Sequence, residues 1–143
     1  MRRLGTIALA AFLLAGCGGK KEESEGELGK EAKAACTGEA LSEAPKLPAS
    51  FPQIEADKLT YTQQSTQGPT NVIEGYFNGD VKEAHDEFEK ELKGAGYSIL
   101  FNELEDHDSE LSWQGEGRTG QVALREECGS GDKTYVHITN RAA

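Results

Sequence analysis

Long apolar runs are almost missing from this sequence. The one clear run, Ile7 to Leu14, is too short for a membrane-crossing helix, which needs about 20 apolar residues to span the hydrocarbon. Basic residues are also scarce: 15 Lys and Arg stand against 25 Asp and Glu, for a formal net charge of −10. Such a chain repels phosphate backbones and anionic lipid surfaces, which excludes nucleic acid and an electrostatic membrane-binding face. Cysteine and histidine number three each. No C-x-x-C spacing occurs and the histidines are scattered, so neither a zinc motif nor a dithiol redox motif is present. No serine or cysteine stands in a nucleophile context and no internal repeat occurs. Neither an enzyme nor a cofactor is therefore expected.

What is present begins with an address. Arg2 and Arg3 precede the Ile7–Leu14 run, and small residues follow it into a cysteine, the layout of a secretory signal. The ending Leu14-Ala15-Gly16-Cys17 resembles the lipobox of bacterial lipoprotein precursors. That resemblance covers the first 17 residues only. It implies cleavage between Gly16 and Cys17, a diacylglycerol on the Cys17 thiol and usually an acyl chain on the new amino terminus. Cys17 is then an anchor, and the protein is extracytoplasmic, lipid-anchored to a bacterial cell membrane. At about 0.8 kcal/mol per buried CH₂, two or three chains hold it there permanently. Loss of residues 1–16 removes Arg2 and Arg3 and makes the chain more acidic still.

With Cys17 set aside, Cys36 and Cys128 remain in a protein sent to an oxidising compartment, which points to a disulfide. Residues 17–46, rich in Gly, Glu, Lys, Ser and Ala, read as the lipidated cysteine and a flexible acidic tether, with at most a helical turn around Lys30–Ala35. Residues 47–143 read as one α+β domain. Phe51, between Pro48 and Pro52, is expected to pin an extended lead-in to the core.

Strand-like alternation covers Lys58–Ser65, Thr70–Asn78, Tyr97–Leu104, Ser109–Gln114, Gln121–Cys128 and Thr134–Asn140. A longer loop is expected between the first two. One amphipathic helix is predicted over Val81–Lys93, with Asp80 as its cap and Glu83 completing a capping box. The order β-β-α-β-β-β-β implies an antiparallel sheet with one helix packed on one face. Tyr97, Ile99 and Phe101 are expected on the helix side. The uncovered face then carries Thr60, Thr62, Gln64, Ser112, Gln114, Gln121 and Arg125, with Leu100 and Ala123 among them. Of these, Gln114, Gln121 and Arg125 form the candidate binding face.

Three other features call for a reading. Gly115-Glu116-Gly117-Arg118-Thr119-Gly120 has the G-x-G-x-x-G spacing of a dinucleotide loop, but a strand-like segment follows it in place of a helix, so it reads as a hairpin turn. The acidic run Glu103–Glu110 makes Asp106, Asp108 and Glu110 weak candidates for a metal, yet it lacks the glycine and distant glutamate that fold carboxylates around calcium. A solvated turn is the simpler reading. His85 falls on the apolar arc of the helix, His137 alternates with core residues, and Trp113 reads as core.

These features favour a non-enzymatic domain that binds a protein or another envelope component. The alternative is an accessory lipoprotein that binds a small ligand or metal for a membrane system. A wide bare sheet face favours the first and an apolar pocket the second.

Overall fold

Six strands form one antiparallel sheet in the computed structural model, which describes residues 22–143. The lipobox-like stretch and Cys17 lie outside the described residues. The elements are α1 (Glu22–Thr37), β1 (Leu59–Gln67), β2 (Thr70–Asn78), α2 (Val81–Gly94), β3 (Ser98–Leu104), β4 (Asp108–Gly115), β5 (Arg118–Arg125) and β6 (Lys133–Ala142). The spatial order is β1-β2-β6-β5-β4-β3. Every neighbouring pair is antiparallel, so β2 and β3 run in the same direction although three strands separate them. Strands so related cannot be joined by a tight turn, and α2 is the crossover between them.

α2 forms as its sequence demands. The Asp80 carboxylate accepts from the Glu83 backbone N–H at 2.8 Å, and the Glu83 carboxylate accepts from that of Asp80 at 3.0 Å. Val81, Ala84, His85, Phe88 and Leu92 face the sheet and are buried. They pack across β3 to β6 on Leu111, Trp113, Val122, Leu124, Val136 and Ile138. Complete burial of a side chain such as Phe88 or Leu92 contributes about 1.5–3 kcal/mol.

A second helix corrects the single-helix expectation. α1 lies within the stretch read as a tether and packs on the opposite sheet face, over β1, β2 and β6. Its contact surface is made of small residues, Ala32, Ala35 and Cys36, seated against Tyr135. Cys36 is joined to Cys128, with the Cα atoms 5.5 Å apart. Two side chains from the sheet satisfy the carbonyls that the last helical turn leaves free: Thr62 Oγ1 donates to Ala35 O at 2.8 Å and Lys133 Nζ to Cys36 O at 3.3 Å. From α1 the chain rounds the β1 edge, where Leu41 N–H donates to Tyr61 O at 2.9 Å. It then crosses the α2 face as a proline-rich strap, residues 44–56, that inserts Phe51 into the core.

Two bulges change the expected side-chain parity. One lies between Tyr61 and Gln63, so Gln64 pairs with Ile73 and turns to the strap side, where its Oε1 accepts from Lys46 N–H at 2.9 Å. Gln64 therefore leaves the face on which simple alternation places it. The other lies between Ile99 and Phe101. Ile99 stays opposite Trp113, but Phe101 pairs with Ser112 and so turns away from α2. The extra residue places Leu100 on the same side.

The glycine-rich segment is a hairpin turn with two seats for aromatic rings. Gly115 and Arg118 are cross-strand partners, and the two residues between them, Glu116 (φ 54°) and Gly117 (φ 71°), are both left-handed, as a primed turn requires. A Cβ on Gly115 would collide with the Tyr97 ring, and one on Gly120 with the Trp113 ring and Thr139 O. The β1–β2 connection is likewise tighter than expected, with only Gly68 (φ 59°) and Pro69 between Gln67 and Thr70. Glu116 holds a conformation that costs most L-residues about 1–2 kcal/mol but that asparagine tolerates. Glu116→Asn is therefore expected to stabilise the protein by about 0.5–1 kcal/mol, read as a raised urea midpoint at unchanged slope. A lowered midpoint contradicts the turn assignment.

Candidate functional site

The two helices leave half of one sheet face bare. α1 covers β1, β2 and β6, so among the described residues no helix lies over the same face of β5, β4 and β3. Its residues follow from the register. β5 contributes Thr119, Gln121 and Ala123; β4 contributes Glu110, Ser112 and Gln114; the bulged β3 contributes Leu100, Phe101 and Glu103. Leu100 is 60% exposed and Phe101 47%. A shallow trough of about 430 Å³ beside Leu100 is lined by Ser112, Thr119, Thr139 and Arg141.

The three residues singled out from the sequence share this face without forming one cluster. Gln121 is the cross-strand partner of Ser112, Gln114 lies two residues along β4 from it, and Gln121 Nε2 donates to Glu110 Oε2 at 3.2 Å. Arg125 lies four residues further along β5, roughly 13 Å from Gln121, opposite Asp108 and Tyr135 at the margin of α1. Missing from that set are Leu100 and Phe101 together, since only the bulge brings both to one side. A run of alternating residues carries no mark of where one extra residue will be accommodated.

The covered half of the face is polar but internally paired. Tyr135 O–H donates to Glu74 Oε1 at 2.5 Å, and burial together with that carboxylate holds the phenol well above its ordinary pKa. Lys133 Nζ lies 4.0 Å from the Tyr76 ring centroid. Burial lowers the pKa of His137, against the opposing pull of Glu74 and Glu31 and with a further push down from Arg125. A depressed folded-state pKa means that His137 contributes stability above the ordinary histidine range and loses it as pH falls through the folded value. The melting temperature is therefore expected to fall more steeply from pH 7 to pH 5 in the native protein than in His137→Gln. His107 titrates in the opposite sense, raised by its hydrogen bond to Glu126, but it is common to both proteins and cancels. Parallel melting curves contradict the burial effect.

His85, Ser109 and Glu89 stand in a catalytic-looking line. His85 Nδ1 and Ser109 Oγ share a hydrogen bond at 2.5 Å, and His85 Nε2 lies 3.7 Å from Glu89 Oε2. Ser109 is only 1% exposed, however, and neither it nor His85 lines any cavity described among residues 22–143. A nucleophile must meet its substrate; this hydroxyl meets only α2. The group is a buried polar tie between α2 and β4, satisfying two side chains that would be costly to bury alone.

The acidic run forms the β3–β4 turn, with Glu105 N–H donating to Asp108 O at 2.8 Å. Asp108 and Glu110 point to the bare face from β4, whereas Asp106 lies in the turn itself. No three potential ligands gather around a point among the described residues. His107 is engaged instead by Glu126 at 2.5 Å.

One cavity is apolar. It holds about 520 Å³ between the strap and β1, with Leu47, Pro48, Phe51, Ile54, Leu59 and Tyr61 in its wall. The Tyr61 hydroxyl is buried and has no hydrogen-bond partner, and burial raises its pKa well above the usual phenol value. Trp113 lies beside this wall in an aromatic cluster, its ring centroid 5.1 Å from that of Phe51 and 5.4 Å from that of Tyr97.

No family model matches the chain, and comparison with curated proteins and with solved structures finds no match. No helix among the described residues is long and apolar enough to cross a membrane.

Proposed function

We propose that this chain is a lipid-anchored extracytoplasmic domain of a bacterial envelope that binds a protein partner through the bare β5-β4-β3 face. The observation that carries the reading is the pair Leu100 and Phe101, adjacent, about half exposed, and turned by a bulge onto a sheet surface that neither described helix covers. Large apolar side chains grouped within a polar surface mark interaction sites more often than singly scattered ones. Around them Gln114, Gln121 and Ser112 supply hydrogen-bonding groups for a rim, while Glu103 and Glu110 set a negative charge. The partner that fits presents apolar side chains flanked by basic ones. The β3 bulge disfavours simple strand addition at that edge, so docking is onto the face.

The anchor is Cys17. Since α1 begins at Glu22, four residues separate Cys17 from it, and the five chain steps reach at most roughly 17 Å. The domain is thus held close to the bilayer, where its partner would be an envelope protein. Mass measurement of the mature amino-terminal peptide should find a chain starting at Cys17 with diacylglycerol on its sulfur; an intact Gly16–Cys17 bond overturns the anchor.

Charge placed on the docking pair should abolish binding without unfolding the domain. In Leu100→Asp/Phe101→Asp the two side chains are already substantially solvated, so the change in unfolding free energy is expected to stay within about 0.5 kcal/mol per site. The protein that crosslinks to the native chain in its own envelope should no longer do so. Unchanged crosslinking with an intact fold contradicts the assignment of the face.

A further inference from the structure

We propose that the segment docking on the bare β5-β4-β3 face is an amphipathic helix of the partner, apolar along one side and basic toward its amino terminus. The inference rests on the reading of that face as a docking surface and adds the shape, charge and direction of what docks there. Its first support is the room available. α1 already lies on the other half of the same sheet side, seated through Ala32, Ala35 and Cys36, so this side takes helices. Three strands about 4.8 Å apart make a strip roughly 14 Å wide, which admits one further helix with its side chains.

The second support is where the charges of the face lie. Glu103 and Glu110 are cross-strand partners in a row that continues to Ala123, whereas Arg141 is the partner of Thr119, four residues back along β5. Glu103 and Arg141 also stand three strands apart, so roughly 20 Å of face separates them. Among the described residues neither has an ion-pair partner. A helix of about 13 residues spans that diagonal. The amino end of a helix carries a partial positive charge and its carboxyl end a partial negative one. Its first turn therefore lies over Glu103 and Glu110 and its last near Arg141. Basic side chains in its first half meet the two carboxylates, and its apolar side meets Leu100 and Phe101 and the trough beside them.

The full chain bearing Cys17→Ser is titrated against a fluorescein-labelled synthetic helix of about 14 residues, with leucine along one side, lysine in the first half of the other side and glutamine in the second. Saturable one-to-one binding is expected. An analogue with the lysine and glutamine halves exchanged should bind at least fivefold more weakly, and so should one with two central residues replaced by proline. Glu103→Gln/Glu110→Gln keeps the shape of both side chains and removes their charge, and it should weaken binding about tenfold. Glu39→Gln/Glu43→Gln makes the same charge change at exposed positions in the segment that rounds the β1 edge, and it should leave binding unchanged. No saturable binding overturns the proposal, as does equal binding of the proline or exchanged analogue, or equal loss in the two glutamine pairs. If the helix fails while the native chain still gives the envelope crosslink that Leu100→Asp/Phe101→Asp removes, the face remains a docking surface and its occupant is not a helix.

Discussion

Replacing Cys36 and Cys128 together by serine is expected to lower the unfolding free energy by about 4–5 kcal/mol and to release α1 from the sheet. The bond joins residues 92 apart in sequence, and closing a loop of that length lowers the entropy of the unfolded chain, an effect of about 4–5 kcal/mol on the chain-entropy model. The local effect follows from how little else holds α1. Its buried surface consists of Ala32, Ala35 and Cys36 against Tyr135, and side-chain hydrogen bonds from Thr62 and Lys133 complete the attachment. Methyl-sized side chains bury too little area to hold a helix that an isolated peptide of this length would not form. Amide hydrogen exchange should therefore show loss of protection across residues 29–37 in the double-serine protein while α2 and the strands stay protected under native conditions. An α1 as protected as before, with unchanged denaturant midpoint, contradicts the role given to the bridge.

The second large effect belongs to the aromatic cluster. Trp113 is fully buried between Phe51, Tyr97 and the strands, and Trp113→Ala is expected to cost about 3–5 kcal/mol through lost transfer energy and the cavity left behind. Its seat is equally demanding. Gly120→Ala would push a methyl group into both the indole ring and the Thr139 carbonyl, and with backbone on one side the clash cannot be relieved by a rotamer change. A loss of about 1–3 kcal/mol is expected, the usual range for overpacking. At Gly117 the added methyl meets open space and only the left-handed backbone resists it, for about 1 kcal/mol. Urea denaturation of the three variants should rank them Trp113→Ala, Gly120→Ala, Gly117→Ala. If Gly120→Ala proves harmless, the glycines serve only the turn.

That glycine segment shows where the sequence was readable and where it was not. Its spacing alone suggests a nucleotide, the alternation after it restores a hairpin, but the need for Gly115 and Gly120 lies in Tyr97 and Trp113, which only the fold brings there. α2 was readable in full, from the Asp80–Glu83 box to the buried arc ending at Leu92, because every determinant of a helix start and an amphipathic face lies within a few residues. The antiparallel α+β class was readable for the same reason. α1 was not: its polar composition resembles a tether, and what docks it is a cysteine partner more than ninety residues away. The bulges at Tyr61–Gln63 and Ile99–Phe101 were equally hidden, and they matter for the candidate sites. One positions the unpaired phenol of Tyr61; the other turns Phe101 from an expected core residue into a neighbour of Leu100 on the bare face. Gln114 and Gln121 were found by parity alone, which holds on the unbulged strands β4 and β5.

The bare face carries the principal reading. Its most direct test is a photo-crosslinking amino acid placed at position 101 in the full lipidated chain within its own envelope, beside a control at Lys90 on the outer surface of α2. The expected result is one discrete protein adduct from position 101 and none from position 90. Adducts from position 90 alone, the same adducts from both positions, or none from position 101 would contradict the assignment.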